Sequence, residues 1–363
     1  MIAEDERNKL HVLDLFAGAG GLSEGLRQTG HLATVQAVEL DPEAAGTYSL
    51  NHPEADLFVG PIETWLETAD VPEVDVIIGG PPCQGFSQLG QQNAHDERNS
   101  LWREYVRTII RAQPAYFVLE NVPAFLQSPQ FRRLQSEFLD GGLLRDYRFE
   151  ADVLNAADFG APQARRRALL VGHRRDLPAP GWPEKTHATR HLSVEEAFRG
   201  IPARPTMDLP ERWYVFRGRR FAGPFKTTEL HVGRRYTDLS LQRFACIPPG
   251  GNRFDIDEDL LAPCWRKHRS GSGDVMGRLY WDRPSVTIRT EFFKPEKGRY
   301  LHPEQDRAIT HLEAAMLQGF PINYQWVGSR TSIARQIGNA VPIPLGRAIG
   351  ECIGAAAAAS SRS

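Results

Sequence analysis

Residues 12–26 read VLDLFAGAGGLSEGL, in which an apolar run leads through a glycine-rich turn into a helical pattern. Glycine lets the backbone of such a turn approach a ligand closely, and the N-terminus of the next helix favours anionic groups. A dinucleotide-binding fingerprint would place its third glycine at position 23, where this chain has Ser23. The stretch predicts a first strand followed either by a ligand-binding turn or by a tight connection that binds nothing.

Strand-like and helical segments alternate through the first 175 residues. The strand-like runs are residues 12–16, 34–39, 74–78, 116–119 and 168–171. Between them lie helical stretches that include residues 42–50, 101–112 and 130–139. This alternation is typical of an α/β fold with a doubly wound, mostly parallel sheet. Ligands bind at the carboxyl ends of the strands in such sheets, so we expect the site in the loops that follow them.

The composition changes after about residue 176. Prolines cluster between residues 178 and 210, and residues 200–300 mix arginine with aromatic residues without helical periodicity. Helical periodicity returns near Ala308. We therefore predict a catalytic and cofactor-binding domain at 1–185, a smaller, irregular, β-rich domain at 186–300, and a return to the first domain at 301–363, with a frayed tail at 355–363.

The charge is distributed unevenly along the chain. The net charge is −2, but residues 1–160 carry 11 Lys and Arg against 25 Asp and Glu, whereas residues 199–299 carry 20 against 12. The excess of arginine over lysine, 37 against 6, has an alternative explanation in the codon usage of a GC-rich genome. Codon usage does not explain why the net charge differs between the two segments. A basic segment beside an acidic one predicts a polyanionic partner on one face.

The bulk composition excludes several classes of protein. Hydrophobic residues make up 41% of the chain, which is ordinary for a folded soluble domain. No apolar run approaches 18 residues and the charged N-terminus is unlike a signal peptide, so we expect a cytoplasmic protein without a membrane span. The four cysteines, at 83, 246, 264 and 352, lack metal-ligand spacing, so we expect neither a structural metal nor a disulfide framework.

Polar residues follow three of the predicted strands. Glu39 ends the second strand, where an acid can accept hydrogen bonds from both hydroxyls of a ribose. Cys83 lies in the loop GGPPCQGFS (79–87), where a nucleophile belongs, although a lone cysteine is more often a small buried hydrophobe. Glu120, in Leu119–Pro123, is either an acid kept protonated by burial or a buried glutamate that caps a helix. Together these residues favour a nucleoside cofactor beside a reactive thiol.

A run of three arginines follows at 165–167. If this run is a strand, Arg165 and Arg167 point to one face and Arg166 to the other. Two guanidinium groups on one face can hold an anion or a ring carbonyl, whereas an isolated charge run is more often a solvated surface.

Seven segments in this order resemble the cytosine-5 DNA methyltransferases of the prokaryotic modification type: DLFAGAGG (14–21), Glu39, PPCQGFS (81–87), ENV (120–122), QARRR (163–167), EAAMLQGFP (313–321) and QIGNAVP (336–342). The resemblance covers residues 10–175 and about 276–350, and residues 185–275 lie in the variable target-recognition region of that family. It implies S-adenosylmethionine as cofactor and a cytosine flipped out of double-stranded DNA. It also implies a monomeric modification enzyme, with a separate restriction endonuclease as a possible partner.

The resemblance also implies roles for individual residues. Cys83 would attack carbon 6 of the ring, Glu120 would bond ring nitrogen 3, and Arg165, together with Arg167 in the catalytic set, would hold the ring carbonyl and favour the thiolate. The cofactor would be bound by Phe16, Ala17, Gly18, Ala19, Gly20, Gly21, Glu39, Leu40, Pro61, Ile62, Pro82, Leu101, Asn339 and Ala340. DNA would be contacted by Gln84, Ser87, Arg98 and Gln163, and residues 84–101 would form a mobile loop.

One position departs from the family, and several rival functions are weaker. Pro61 stands where the family has an Asp that accepts from the adenine amine, so water or the backbone of Ile62 is expected to replace it.

A tRNA cytosine-5 methyltransferase would carry a Cys-Phe-Thr element, which is absent, and an amino-methylating enzyme has no cysteine after its Pro-Pro pair. A catalytically silent DNA-binding regulator would not need Cys83, Glu120 and Arg165, and a nicotinamide dehydrogenase would need a paired acid-base histidine.

Overall fold

A computed structural model describes residues 9–82, 101–267 and 270–360 of the chain. The strands in these ranges are β1 (Leu10–Leu15), β2 (Leu32–Glu39), β3 (Asp56–Val59), β4 (Val76–Gly79), β5 (Tyr116–Asn121), β6 (Tyr147–Asn155), β7 (Gln163–Ala164), β8 (Arg166–Arg174), β9 (Trp213–Phe216), β10 (Arg219–Ala222), β11 (Phe225–Lys226), β12 (Ser285–Val286) and β13 (Gln325–Trp326).

The α-helices in the same ranges are α1 (Gly21–Arg27), α2 (Pro42–Asn51), α3 (Ile62–Thr68), α4 (Leu101–Ala112), α5 (Pro129–Ser136), α6 (Val194–Phe198), α7 (Asp238–Ala245), α8 (Pro263–Lys267), α9 (His311–Gln318), α10 (Arg330–Asn339) and α11 (Ile343–Ser360). Short 3-10 turns lie at Pro123–Gln127, Ala156–Phe159, Thr227–Leu230, Arg253–Asp255, Glu258–Leu260 and Pro295–Lys297. Among these helices none is long and apolar enough to cross a membrane.

The described residues form two compact units. The first unit comprises the described parts of residues 1–159, 166–186 and 341–363, and the second unit comprises those of 160–165 and 187–340. The sequence predicted a return to the first domain at residue 301, whereas the chain rejoins the first unit at Val341. The reason is that α9 packs against α10, α6 and the turn at Thr227–Leu230, all of which belong to the second unit.

The first unit is built on a seven-stranded sheet in the order β3-β2-β1-β4-β5-β8-β6. The five strands from β3 to β5 are parallel, and β8 runs antiparallel to both β5 and β6. This arrangement confirms the predicted α/β, mostly parallel sheet. Leu13, Ile77 and Phe117 are fully or almost fully buried in one cluster with residues of α3 and α4, so the central strands and these helices share one core.

Helix α11 packs on α1 through glycine. A Cβ added to Gly25 would lie 2.8 Å from backbone atoms of Ile343, Gly346 and Arg347, so the two helices approach too closely for a side chain at position 25. The predicted fraying of residues 355–363 is wrong up to Ser360, because α11 continues to that residue and Ala356 is buried. Residues 361–363 lie outside the described part of the chain.

The second unit has short paired strands and no large sheet within its described residues. It contains the antiparallel hairpin β9–β10, the antiparallel pair β11–β13 and the parallel pair β7–β12. One of its cores is formed by Phe244, Ile247, Ile256, Met276 and Leu301. These features agree with the irregular, partly β character that the sequence predicted for this region.

Candidate active site

The glycine-rich turn after β1 has the backbone geometry of a ligand-binding loop. Phe16, Gly18 and Gly20 all have positive φ angles, of 58°, 56° and 83°, and Gly20 is the N-cap of α1. A non-glycine residue in this region is strained, and such strain concentrates at functional sites. A Cβ added to Gly18 would have no heavy atom within 4 Å, so the space beside this residue is open to a ligand.

Glu39 links the end of β2 to this turn. Its Oε2 accepts a hydrogen bond of 2.7 Å from Gly18 N, and its Oε1 accepts one of 2.7 Å from Asp41 N. Burial raises the pKa of Glu39, and the two backbone donors oppose that shift. Each carboxylate oxygen keeps acceptor capacity for a ligand hydroxyl, so the predicted ribose contact is chemically possible from this position.

Sheet order brings several predicted cofactor residues to one edge. Leu40, Pro61 and Pro82 follow β2, β3 and β4, and these strands lie in the order β3-β2-β1-β4 in the parallel part of the sheet. All three are exposed. Ile62 is the first residue of α3, where the backbone N–H has no partner within the helix.

Pro61 is the N-cap of α3 and has no side-chain acceptor. Asp56, the nearest upstream acid, begins β3 and accepts a hydrogen bond of 3.0 Å from Gln36 Nε2. Asp56 therefore already has a partner on the neighbouring strand β2.

Glu120 and Arg167 form an ion pair at the end of β5. Arg167 Nε lies 2.7 Å from Glu120 Oε1, and the two side chains are only 14% and 13% exposed. Asn121, the next residue, donates a hydrogen bond of 3.1 Å from its Nδ2 to the carbonyl of Pro81. The Glu-Asn-Val segment thus both carries the ion pair and fixes the backbone that leads towards position 83.

Arg165 does not share a strand with Arg167. Strand β8 begins at Arg166, and Arg165 lies between β7 and β8, so the predicted alternation does not apply to it. Its side chain is buried in the second unit, where Nη1 donates to the carbonyl of Ile288 at 2.7 Å and Nη2 to that of Gly338 at 2.8 Å. The prediction that Arg165 and Arg167 point to one face is therefore corrected.

Gln163 is also buried in the second unit. Its Nε2 donates to Gln318 Oε1 at 2.8 Å, and its Oε1 accepts from Ile288 N at 2.7 Å. A side chain with 0% exposure cannot reach a duplex without repacking, so the expectation that Gln163 contacts DNA is corrected to a structural role.

Comparisons with known proteins decide the family. A model of the C-5 cytosine-specific DNA methylases matches residues 10–355. The chain belongs to this family. It is 34% identical to the type II methyltransferase M1.HphI of Haemophilus parahaemolyticus, over 95% of this chain and 86% of that protein. It is 32% identical to M.DdeI of Desulfomicrobium norvegicum, over 95% and 88%.

A solved structure supports the fold of this methylase. A proposed DNA modification methyltransferase encoded within an E. coli prophage matches 96% of this chain and 100% of its own, with a TM-score of 0.71 at 23% identity. The predictions of family, fold class and a DNA cytosine-5 methyltransferase are confirmed by these matches and by the family model.

Four predicted site residues of the methylase lie outside the described part of the chain: Cys83, Gln84, Ser87 and Arg98. Among the other predicted cofactor residues, Ala17 is partly buried, and Ala19 and Gly21 are buried in the turn and the start of α1. Leu101 begins α4 in the first unit, whereas Asn339 ends α10 and Ala340 is its C-cap in the second unit.

A buried polar cluster behind the glycine-rich turn was missed from the sequence. Ser23 Oγ donates to Asp14 Oδ2 at 2.6 Å and lies 3.0 Å from Thr34 Oγ1 and 2.9 Å from Tyr48 Oη. Burial raises the pKa of Asp14 to about 7, with Ser23 opposing the shift and Glu39 adding to it. In the sequence Ser23 stands out only as the residue in place of a third glycine. The polar residues spaced along β1, β2 and α2 are the one signal that could indicate the cluster.

Proposed function

We propose that this methylase transfers a methyl group from S-adenosylmethionine to carbon 5 of a cytosine flipped out of a specific sequence in duplex DNA. The observation that carries the proposal is the Glu120–Arg167 ion pair, next to the Asn121 side chain that holds the Pro81 carbonyl. A carboxyl group and a guanidinium side by side match the ring nitrogen 3 and the adjacent carbonyl of cytosine.

The loops after β1 and β2 fit the cofactor. The space beside Gly18 is open, the Phe16 ring is partly exposed, and Glu39 faces the same turn through its bond to Gly18 N. When bound, S-adenosylmethionine supplies an electrophilic methyl group. We place the adenine against Phe16 and Ile62, and the ribose against Glu39. Asn339 and Ala340 stay a prediction that rests on the family resemblance.

The catalytic residues would activate the cytosine in a fixed order. The thiolate of Cys83 adds to carbon 6, which moves electron density to carbon 5, and Glu120, acting as an acid, donates a hydrogen bond to nitrogen 3 and stabilises the negative charge that builds there. Arg167 donates to the ring carbonyl. After carbon 5 has accepted the methyl group, it loses its proton to a base, and the electron pair of that bond expels the Cys83 thiolate from carbon 6. Enzyme and aromatic ring are thereby regenerated.

Arg165 is better assigned as a positioning residue. Its guanidinium bonds two backbone carbonyls that come from segments 123 and 173 residues further along the chain. Such a bridge organises the interior of the second unit. Arg167, which touches Glu120, is therefore the arginine that we place on the substrate.

The named relatives support a proposal for the biological role. We infer that the chain acts on double-stranded DNA as the modification enzyme of a restriction-modification system, as a monomer and with the endonuclease as a separate protein. The relatives named as type II methyltransferases support this role, and so does the basic charge of residues 199–299, 20 Lys and Arg against 12 Asp and Glu.

A library experiment tests this function. The protein is incubated with S-adenosylmethionine and a random duplex library, and the product is sequenced after chemical deamination of unmodified cytosine. We expect protected cytosines within one short sequence, and none when the cofactor is omitted. Protection of tRNA cytosines in a parallel reaction, without protection of duplex DNA, would refute the proposal.

A further inference from the structure

The second unit presents a short β-hairpin that the proposed chemistry does not use. Strands β9 and β10 pair antiparallel, with Phe216 opposite Arg219 and Trp213 opposite Ala222. The two residues of the turn, Arg217 and Gly218, have φ angles of 47° and 75°. Positive φ at both positions is the geometry of the tight turns whose twist matches that of two paired strands.

The base of this hairpin is fixed to the second unit. Gly223 N donates to the carbonyl of Arg212 at 3.0 Å, and Gly328 N donates to the carbonyl of Ala222 at 2.8 Å. The next residues, β11, pair with β13, in which Trp326 is fully buried. A hairpin held at its base can present its strands and tip to a partner without a large loss of conformational entropy.

The two faces of the hairpin differ. Tyr214, Phe216 and Phe221 share one face, on which the Tyr214 and Phe216 rings stack at 6.1 Å and Phe221 is buried. The opposite face carries Trp213 and Val215, which are 52% and 68% exposed. Large apolar side chains this exposed on a fixed element indicate a contact surface.

The charge of the hairpin is entirely positive. Residues 212–226 contain five Lys and Arg and no Asp or Glu. Arg212 pairs with Glu229, at 2.8 Å, at the base. Towards the tip, Arg220 lies 4.1 Å from the centre of the Trp213 ring, and Arg219 lies 5.4 Å from that of Phe221. Stacking on an aromatic ring holds a guanidinium in one plane while its donors remain available.

We propose that this hairpin enters the major groove of the DNA and reads bases with the face formed by Trp213, Val215 and Arg220. This inference rests on the proposed function and names the recognition element within it. The major groove admits a two-stranded ribbon, and a planar guanidinium is complementary to guanine O6 and N7. Val215 is suited to the methyl group of thymine. The absence of any carboxylate from residues 212–226 fits a polyanionic partner.

A binding experiment tests the hairpin separately from catalysis. The full chain, with S-adenosylmethionine present, selects the duplexes that it binds from a random library, and these duplexes are sequenced. Wild type is compared with Arg220→Ala and Val215→Ser, both at exposed positions where folding should not change. Arg283→Ala is the matched control, because Arg283 stacks on Tyr280 at 4.0 Å but is paired with Asp282 at 3.1 Å.

We expect Arg220→Ala to lower the preference for guanine at one position roughly ten- to hundredfold, and to leave the other positions unchanged. Val215→Ser should relax a different position, and Arg283→Ala should relax none. A uniform loss of affinity with a shallower salt dependence and an unchanged base preference would overturn the proposal, because it would place the hairpin on phosphates. If the protein selects one sequence but does not methylate it, the proposed function is refuted and the proposal for the hairpin is not.

Discussion

Replacement of Arg165 by methionine should mainly reduce stability, whereas the same replacement of Arg167 should mainly reduce catalysis. Methionine keeps most of the side-chain length and removes the charge. In Arg165→Met the carbonyls of Ile288 and Gly338 lose their donors inside the second unit. A buried acceptor left without a partner costs about 1–3 kcal/mol, so the two together should lower the free energy of unfolding by about 2–6 kcal/mol.

Arg167→Met should have the opposite profile. The pair that it breaks is mostly but not fully buried, with exposures of 14% and 13%, so the loss of stability should be about 1–3 kcal/mol, less than for the two fully buried bonds of Arg165. If Arg167 donates to the ring carbonyl as charge develops, methyl transfer should fall about 10²- to 10³-fold. Arg167→Lys should recover part of this rate, because it restores the charge without the planar fork.

Two measurements distinguish these outcomes. Urea unfolding followed by tryptophan fluorescence reports stability, and single-turnover methyl transfer at saturating DNA and cofactor, at a temperature where both variants are folded, reports the chemical step. An Arg165→Met protein as stable as wild type but several hundredfold slower in methyl transfer would refute the reasoning and return Arg165 to the substrate.

Three further changes test other parts of the site. Cys83→Ser should lose methyl transfer by several orders of magnitude while it keeps DNA and cofactor binding, and only wild type should stay covalently attached to a duplex with 5-fluorocytosine at the target; near-normal turnover by the mutant would exclude the thiol. Pro61→Asp should raise cofactor affinity about tenfold in calorimetry by adding a charged acceptor for the adenine amine; unchanged affinity would mean that the new carboxylate caps α3 instead. The pKa of Asp14 is raised from 3.8 to about 7 in the folded protein, so the protonated form of this side chain favours folding. The contribution of Asp14 to the free energy of unfolding is therefore full below about pH 4 and is lost as the pH rises to about 7. Asp14→Asn should therefore reduce the fall in urea midpoint across this range, and an undiminished fall would assign it to other groups.

The order of strands and helices in the first unit could be predicted from the sequence because its signals are local. An apolar run of strand length, followed by glycine and an amphipathic stretch, indicates the same structure wherever the chain folds. The prediction for α4 matched its observed bounds, Leu101–Ala112. Strand β6, at the edge of the sheet, was not predicted, because its residues are alternately exposed and half-buried and do not form an apolar run.

The sequence by itself therefore determined the family and the α/β fold, since these depend on short motifs and local periodicity, and it supplied the candidates for the site residues. Only the tertiary structure decided which arginine meets Glu120, that Gln163 is buried, and that the chain rejoins the first unit at Val341. Three adjacent arginines look equivalent in sequence. Arg165 differs from Arg167 because its hydrogen-bond partners, Ile288 and Gly338, lie more than a hundred residues further along the chain. No local sequence pattern can predict a contact between residues so far apart in sequence.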